Sequence, residues 1–395
     1  MITATIPTQF DFFLKTDAKF GAGRAKQLGQ YLHNLKKSRI GIIIDPGVAR
    51  LDYTNEIINN LKKDTEIQII IWEYNLKGEP DYDSLDRIKL LFMDKDSKPL
   101  VDCFVGIGGG SVIDFAKGLS TLLVNPGKAL KLKGFPENIT PSLPTIAIPT
   151  TAGTGSEVTY NASFIDNETK VKLGINTRNN LPIIAIIDPL FMLNAPPSVT
   201  ASSGMDALVH SLESYAASQS NPITKIFAKE AFHLLFNNLN RIEENPKEIE
   251  IRQKLQMGAY LAGITLINSG AGPTAALSYP LGVHFKVPHG IAGAVFLPHV
   301  IQHNTINGYD YSELYDLIDN VDLSLSRCEK NQLFSEKMFS LCKKMQIPEK
   351  ISSFGVTSEN IQILLSEAHN YEKNYSNNPV SFSVEDAKEL LKRIL

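Results

Sequence analysis

The run Val105-Gly106-Ile107-Gly108-Gly109-Gly110-Ser111-Val112-Ile113-Asp114-Phe115-Ala116-Lys117 decides how this chain is read. The apolar stretch Leu100 to Val105 reads as a buried strand, and a pattern with helical period begins at Ser111. Three consecutive glycines join the two. Glycines at a strand-to-helix turn remove the side chains that would keep a ligand off the backbone. They also tolerate positive φ and leave amide N–H groups pointing outward at the helix start. That geometry suits an anion, above all the pyrophosphate of a dinucleotide. The plainer reading of the same residues is a tight turn with a serine N-cap.

A second segment, Ile148-Pro149-Thr150-Thr151-Ala152-Gly153-Thr154-Gly155-Ser156-Glu157-Val158-Thr159, has the same character. It follows the strand-like run Thr145 to Ile148, so both loops belong at the carboxyl ends of one parallel sheet, where open α/β sheets bind ligands. Outward from these loops, strands and helices alternate. Phe10 to Phe13 reads as a short strand, and Gly21-Ala22-Gly23 opens a helix through Leu35. The β-branched run Ile40 to Ile44 ends in Asp45-Pro46-Gly47, with a helix through Leu61 after it. Ile67 to Trp72 is a strand, Tyr82 to Met93 a helix, and Lys170 to Ile175 and Ile183 to Ile187 are two further strand-like runs. This alternation predicts a doubly wound, Rossmann-like parallel α/β sheet.

After the Pro-rich junction Asn194-Ala195-Pro196-Pro197-Ser198, strand-like runs nearly vanish. Helical patterns run over Met205 to Ala217, Thr224 to Leu239, Ile249 to Ile267, Ala275 to Leu281 and Gly290 to Asn304. Others cover Tyr311 to Ile318, Gln332 to Met345, Ser358 to Tyr371 and Val384 to Leu395. The expected division is a dinucleotide-binding α/β domain over 1–190 and an all-helical domain over 191–395, with the cleft between them as the expected site.

Composition excludes several classes. The chain has 395 residues, 43% apolar and 21% charged, with a net charge of −3, ordinary for a soluble globular protein and no invitation to nucleic acid. No apolar run approaches the ~18 residues needed to cross a bilayer. Met1 to Phe13 lacks the basic and continuous apolar regions of a signal peptide. Cys103, Cys328 and Cys342 are too scattered for a disulfide framework, and Cys103 reads as a small buried hydrophobe. The expectation is a cytoplasmic protein.

Asp206 and His210 stand four apart on an expected helix capped by Ser202 or Ser203, which puts both on one face, one turn apart. Such a pair can grip a divalent cation, or simply make an ordinary Asp–His contact. Glu213 shares the stripe, either orienting His210 or standing in solvent. His289 precedes the apolar helix Ile291 to Val300 and reads as a ligand or as a helix cap. His33, His233 and His369 read as surface residues, and His299 and His303 belong to no pattern.

The two glycine/threonine loops, Gly204-Met205-Asp206-Ala207-Leu208-Val209-His210 and Val287-Pro288-His289-Gly290 occur in one order. Together they resemble the iron-containing (group III) alcohol dehydrogenase family, from Phe20-Gly21 to the Asn378-Pro379 region. The resemblance implies a dehydroquinate synthase-like architecture whose helical domain carries metal and substrate. It implies hydride transfer between a nicotinamide cofactor and a primary alcohol or aldehyde, with a polyol or sugar-like substrate left open, and a homodimer. By the same resemblance Asp206, His210 and His289 are metal ligands for iron or zinc. Gly108, Gly109, Gly110 and Ser111 form the pyrophosphate loop, with Asp114 behind it. Thr150, Thr151 and Thr154 line the adenosine and ribose side, while Asn161 and Lys172 reach the nicotinamide half. Asp45, at the end of the second strand, points to NAD because a carboxylate repels the 2′-phosphate of NADP. Its other reading is an Asp-Pro-Gly turn, and NADP stays open.

The chain also departs from the family. A metal-ligand histidine position aligns with Ala275, and a histidine position associated with proton transfer aligns with Tyr279. Three protein ligands remain, and Tyr279 is expected to take over part of the proton handling. His284 replaces the missing ligand only if its helix has already ended. Two other readings stand beside the dehydrogenase: a dehydroquinate synthase-like lyase that uses NAD transiently, and a degenerate member that binds NAD without catalysis.

Overall fold

The computed structural model describes residues 9–76 and 78–395. They form two compact units: one spans Leu14–Ala195, and the other spans Pro196–Leu395 together with the segment ending at Phe13.

The first unit is a six-stranded sheet of β1 (Asp17–Phe20), β2 (Arg39–Ile44), β3 (Gln68–Glu73), β4 (Cys103–Gly108), β5 (Thr145–Pro149) and β8 (Ile184–Ile187). The order is β1-β8-β5-β4-β2-β3, and every pairing is parallel. A separate antiparallel pair joins β6 (Asn161–Ala162) to β7 (Ile175–Asn176). Helices α1 (Leu28–Asn34), α2 (Pro46–Ala49), α3 (Asp52–Lys63), α4 (Tyr82–Ile88) and α5 (Gly110–Leu122) complete the unit. The isoleucine-rich strands are apolar without alternation because both faces are covered. Ile40, Ile42, Ile44, Val105, Ile107, Ile146 and Ile148 pack with Leu28 and Leu32 of α1 and Ile57 and Leu61 of α3. Ile43 and Phe104 face the other way, into Phe115, Ala116 and Leu119 of α5. Each such isoleucine, leucine, valine or phenylalanine contributes about 1.5–3 kcal/mol by burial. Gly106 lets α5 lie close on the sheet, since a Cβ there would sit 3.2 Å from the Ile113 Cα.

From β2 the chain runs outward to the edge strand β3, then returns to place β4 on the other side of β2. The β2/β4 boundary is therefore the switch point of the sheet, where ligands of doubly wound folds bind. The turns that leave these two strands are Asp45-Pro46-Gly47 and Gly108-Gly109-Gly110-Ser111.

The second unit is helical: α6 (Pro197–Ala216), α7 (Pro222–Ile242), α8 (Ile249–Ser269), α9 (Pro273–Phe285), α10 (His289–Ile306), α11 (Ser312–Tyr315), α12 (Arg327–Lys344), α13 (Gln362–Glu367), α14 (Glu372–Tyr375) and α15 (Val384–Arg393). No helix among the described residues is long and apolar enough to cross a membrane.

Several local expectations are corrected. Phe10 to Phe13 forms no strand: the Phe13 N–H donates to Asn268 Oδ1 at 2.6 Å, Asn268 Nδ2 donates to the Phe13 carbonyl, and Phe12 packs on Phe227. The first strand is instead Asp17–Phe20. Of Lys170 to Ile175 only Ile175 is in a strand, because Asp166 accepts the Glu168 and Thr169 N–H groups in a turn and Lys170 takes a left-handed φ of 57°. Helix α6 starts at Pro197, so Ser202 and Ser203 lie inside it, and the Ser203 hydroxyl bonds back to the Val199 carbonyl. The helix expected over Tyr311 to Ile318 is confined to Ser312–Tyr315, and that over Ser358 to Tyr371 to Gln362–Glu367 with a 3-10 turn after it.

Candidate nucleotide loops and metal centre

The turn after β4 meets the loop after β5. The Thr150 N–H donates to the Gly108 carbonyl at 3.0 Å, and Thr151 and Thr154 lie against Gly109 and Gly110. None of Gly108, Gly109 and Gly110 has positive φ. They are glycines because of close approach, which corrects the conformational part of the expectation. A Cβ on Gly110 would fall 2.5 Å from Thr154 Cγ2, and one on Gly108 2.6 Å from Val112 Cγ2. Gly109 differs: its φ of −74° suits any residue, and its Cβ would come no closer than 3.4 Å, to Thr151 Oγ1. Gly109 is also the N-cap of α5, and no side chain caps that end. Its carbonyl accepts the Val112 and Ile113 N–H groups. A positive helix end faces a gap left by a missing side chain, which is what an anion site requires.

Asp114 holds the second loop. Its Oδ1 accepts from the Ser156 hydroxyl, and its Oδ2 accepts the Ser163 N–H at 2.9 Å. Lys117, one turn on, is fully buried and donates to Ser156 Oγ, the Thr159 carbonyl and the Asn161 carbonyl, each at 2.9 Å. Burial pulls its pKa down, and pushes that of the neighbouring Glu157 up to about 7. Sequence reasoning passed over Lys117; the available signal was a lysine within the apolar stripe Phe115-Ala116-Leu119. Asn161 also donates to Asn176 Oδ1, and Lys172 is paired with Glu79 at 2.7 Å. Asp45 caps α2, its Oδ1 accepting the Gly47 and Val48 N–H groups, and its own N–H donates to the Ile107 carbonyl beside the glycine turn.

In the helical unit, Asp206 and His210 share one face of α6, with His210 Nε2 3.7 Å from Asp206 Oδ1. His289, the first residue of α10, places its Nε2 3.8 Å from the same oxygen. Gly290 makes this possible: a Cβ there would fall 1.9 Å from the Ser202 carbonyl, so the first turn of α10 presses directly on α6. One ligand atom from each residue lies within 4.8 Å of the others. These spacings are too long for hydrogen bonds. They are close to the ~3.4 Å separating donors that share one ion at ~2.1 Å. His210 Nδ1 is buried without a hydrogen-bond partner, so the polar contact of that ring lies toward the donor cluster. An acidic oxygen and two imidazoles in this arrangement fit a divalent metal.

Glu213 takes neither role expected of it. It is buried and accepts N–H groups from Gly272, Thr274 and Ala275, capping α9; burial pushes its pKa up. Ala275 is buried in the first turn of α9. Helix α9 continues through Phe285, and His284 is engaged by Glu367 at 2.5 Å, so it does not join the cluster. The Tyr279 ring stacks on His289 with centroids 5.6 Å apart and planes 4° apart, and Tyr371 lies 5.6 Å from Tyr279. Ser278, which sequence reasoning passed over, bonds to His289 Nδ1. The other histidines stand apart. His33 pairs with Asp64 at the surface and His369 is exposed, whereas His233 is half-buried on the Leu317 carbonyl, against expectation. His299 packs on Phe339, its pKa lowered to about 4 by burial, and His303 meets the Ser381 carbonyl.

Comparison with known proteins bears on both units. The family model for iron-containing alcohol dehydrogenase matches residues 15–189, and that for the C-terminal part of the Fe-containing alcohol dehydrogenase family matches 200–395. The NAD-dependent methanol dehydrogenase of Bacillus methanolicus is 30% identical over 388 residues, covering 98% of this chain and 100% of that protein. Alcohol dehydrogenase 4 of Saccharomyces cerevisiae is 29% identical over 382 residues, covering 97% of each. The crystal structure of a 1,3-propanediol oxidoreductase superposes with a TM-score of 0.90 at 26% identity, covering 98% of this chain and 100% of that one. These relatives are dehydrogenases, and the lyase reading is not favoured. The chain belongs to the iron-containing alcohol dehydrogenase family, oxidoreductases that use NAD and a divalent metal.

Proposed function

We propose that this protein interconverts a short primary alcohol and its aldehyde with NAD(H), using a divalent ion held by Asp206, His210 and His289. The observation that carries the reading is the convergence of those three donors within 4.8 Å. When bound, the ion supplies Lewis acidity toward the substrate oxygen, and the nicotinamide supplies or accepts hydride. Asp206 contributes the negative charge that favours a cation, and the two imidazoles complete the donor set. Tyr279, stacked on His289, is the proposed proton carrier. The α5 N-terminus at Gly109, Gly110 and Ser111 takes the pyrophosphate, with Thr150, Thr151 and Thr154 beside it. Asn161 and Lys172 would serve the nicotinamide side, Lys172 being paired here with Glu79. Asp45 directs the choice to NAD, because an acidic side chain at the end of β2, beside the glycine turn, disfavours the 2′-phosphate of NADP. The similarity to a methanol dehydrogenase and to a 1,3-propanediol oxidoreductase supports a small alcohol. A homodimer is the proposed assembly.

The test is NADH formation from a panel of short alcohols before and after removal of divalent ions by a chelator. NADH formation that chelation abolishes and Zn²⁺ or Fe²⁺ restores is the expected result. Full turnover in the chelated protein overturns the metal assignment, and no turnover with any alcohol overturns the dehydrogenase reading.

A further inference from the structure

The hydrogen atoms around His289 can be assigned from two distances. Ser278 Oγ lies 2.6 Å from the Ala275 carbonyl oxygen and 3.2 Å from His289 Nδ1. A carbonyl has no hydrogen to give, and two oxygens at that separation repel unless a hydrogen lies between them. The single serine hydrogen is therefore on the Ala275 carbonyl. Ser278 then faces His289 with a lone pair, so Nδ1 must carry the imidazole hydrogen. A neutral imidazole has one N–H, so Nε2 then carries a lone pair, and Nε2 is the nitrogen 3.8 Å from Asp206 Oδ1. The opposite tautomer would set two lone pairs against each other at Ser278.

We propose that Ser278 is a positioning residue that locks His289 in the Nδ1–H tautomer, holding Nε2 as a ready metal donor. The purpose of the lock rests on the metal reading above, while the tautomer itself does not. The surroundings make the serine hold firm. Ser278 is fully buried, and its helix is tied down by Glu213 at the N-terminus. Tyr279 lies parallel on the imidazole and limits its tilt. His210 has no equivalent, since its Nδ1 finds no partner among the described residues. Among the donors Asp206, His210 and His289, the lock is thus particular to His289. Partners of this kind are worth about ten- to a hundredfold in metal affinity.

The test uses the full-length protein, metal-stripped and ¹⁵N-labelled at histidine, at a pH where imidazoles are neutral. His289→Gln assigns the His289 resonances. The expected spectrum shows His289 as Nδ1–H in the parent and a mixed or Nε2–H tautomer in Ser278→Ala. Calorimetric titration with Zn²⁺ should show affinity reduced about ten- to a hundredfold in Ser278→Ala. A parent spectrum with His289 as Nε2–H overturns the proposal without any variant having to fold. An unchanged tautomer and unchanged Zn²⁺ affinity in folded Ser278→Ala also overturn it. If the parent shows Nδ1–H, lost in the variant, but binds no Zn²⁺, the lock stands and the metal reading fails.

Discussion

Two adjacent glycines should respond oppositely to the same added methyl. At Gly110 the new Cβ would sit 2.5 Å from Thr154 Cγ2 and 2.6 Å from Thr154 Oγ1. Thr154 has little room to yield, because the loop beyond it is clasped by Lys117 and Asp114. Gly110→Ala should therefore cost about 1–3 kcal/mol through overpacking. At Gly109 the methyl would meet Thr151 Oγ1 at 3.4 Å, an ordinary contact, and the backbone angles suit alanine. Gly109→Ala should leave stability within about 1 kcal/mol of the parent, with a slight gain from a stiffer unfolded chain. Its methyl projects at the uncapped start of α5, where the pyrophosphate is placed. The NADH dissociation constant should rise at least tenfold, about 1.4 kcal/mol. Thermal unfolding and calorimetric NADH titration of both variants separate the effects. A Gly109→Ala protein that keeps the parent melting temperature and parent NADH affinity would refute the pyrophosphate assignment.

Other outcomes follow from the same geometry. Lys117→Met removes the buried ammonium that joins Asp114, Ser156 and the Thr159 and Asn161 carbonyls, so denaturant unfolding should show a loss of about 3–5 kcal/mol; a change under 1 kcal/mol would mean the clasp is unimportant. Asp45→Ser keeps a competent cap, so stability should hold while the ratio of NAD to NADP turnover narrows; a parent that already prefers NADP would leave Asp45 as a turn residue only. Ala275→His puts an imidazole where the resemblance implies a metal ligand, and metal content after dialysis should rise from sub-stoichiometric toward one ion per chain; equal retention in both proteins would count against a weakened site.

The sheet was legible because Ile40 to Ile44 is apolar on both faces and Ile146 to Ile148 is a buried apolar run, patterns that few structures other than a covered strand accommodate. Phe10 to Phe13 carries a similar local pattern, yet its partner Asn268 lies 255 residues away, beyond any local signal. The glycine turn was found for a partly mistaken reason: close approach by Thr154, 44 positions along the chain, decides Gly110, not φ. Glu213 was misplaced for a similar cause. Its spacing from His210 suggested a local contact, whereas the groups it accepts from are 59 to 62 residues distant. Asp206 and His210 were readable as a pair through helical periodicity. That His289 joins them depends on Gly290 pressing against Ser202, which only the packed helices reveal.

The most direct test is metal content and NADH formation measured together on the parent, Asp206→Ala and His210→Ala, with a short primary alcohol and added Zn²⁺ or Fe²⁺. The parent should bind the ion and form NADH, and Asp206→Ala should lose both while keeping its fold and its NADH affinity. Undiminished NADH formation by Asp206→Ala and His210→Ala would contradict the account, leaving these residues to hold substrate or structure.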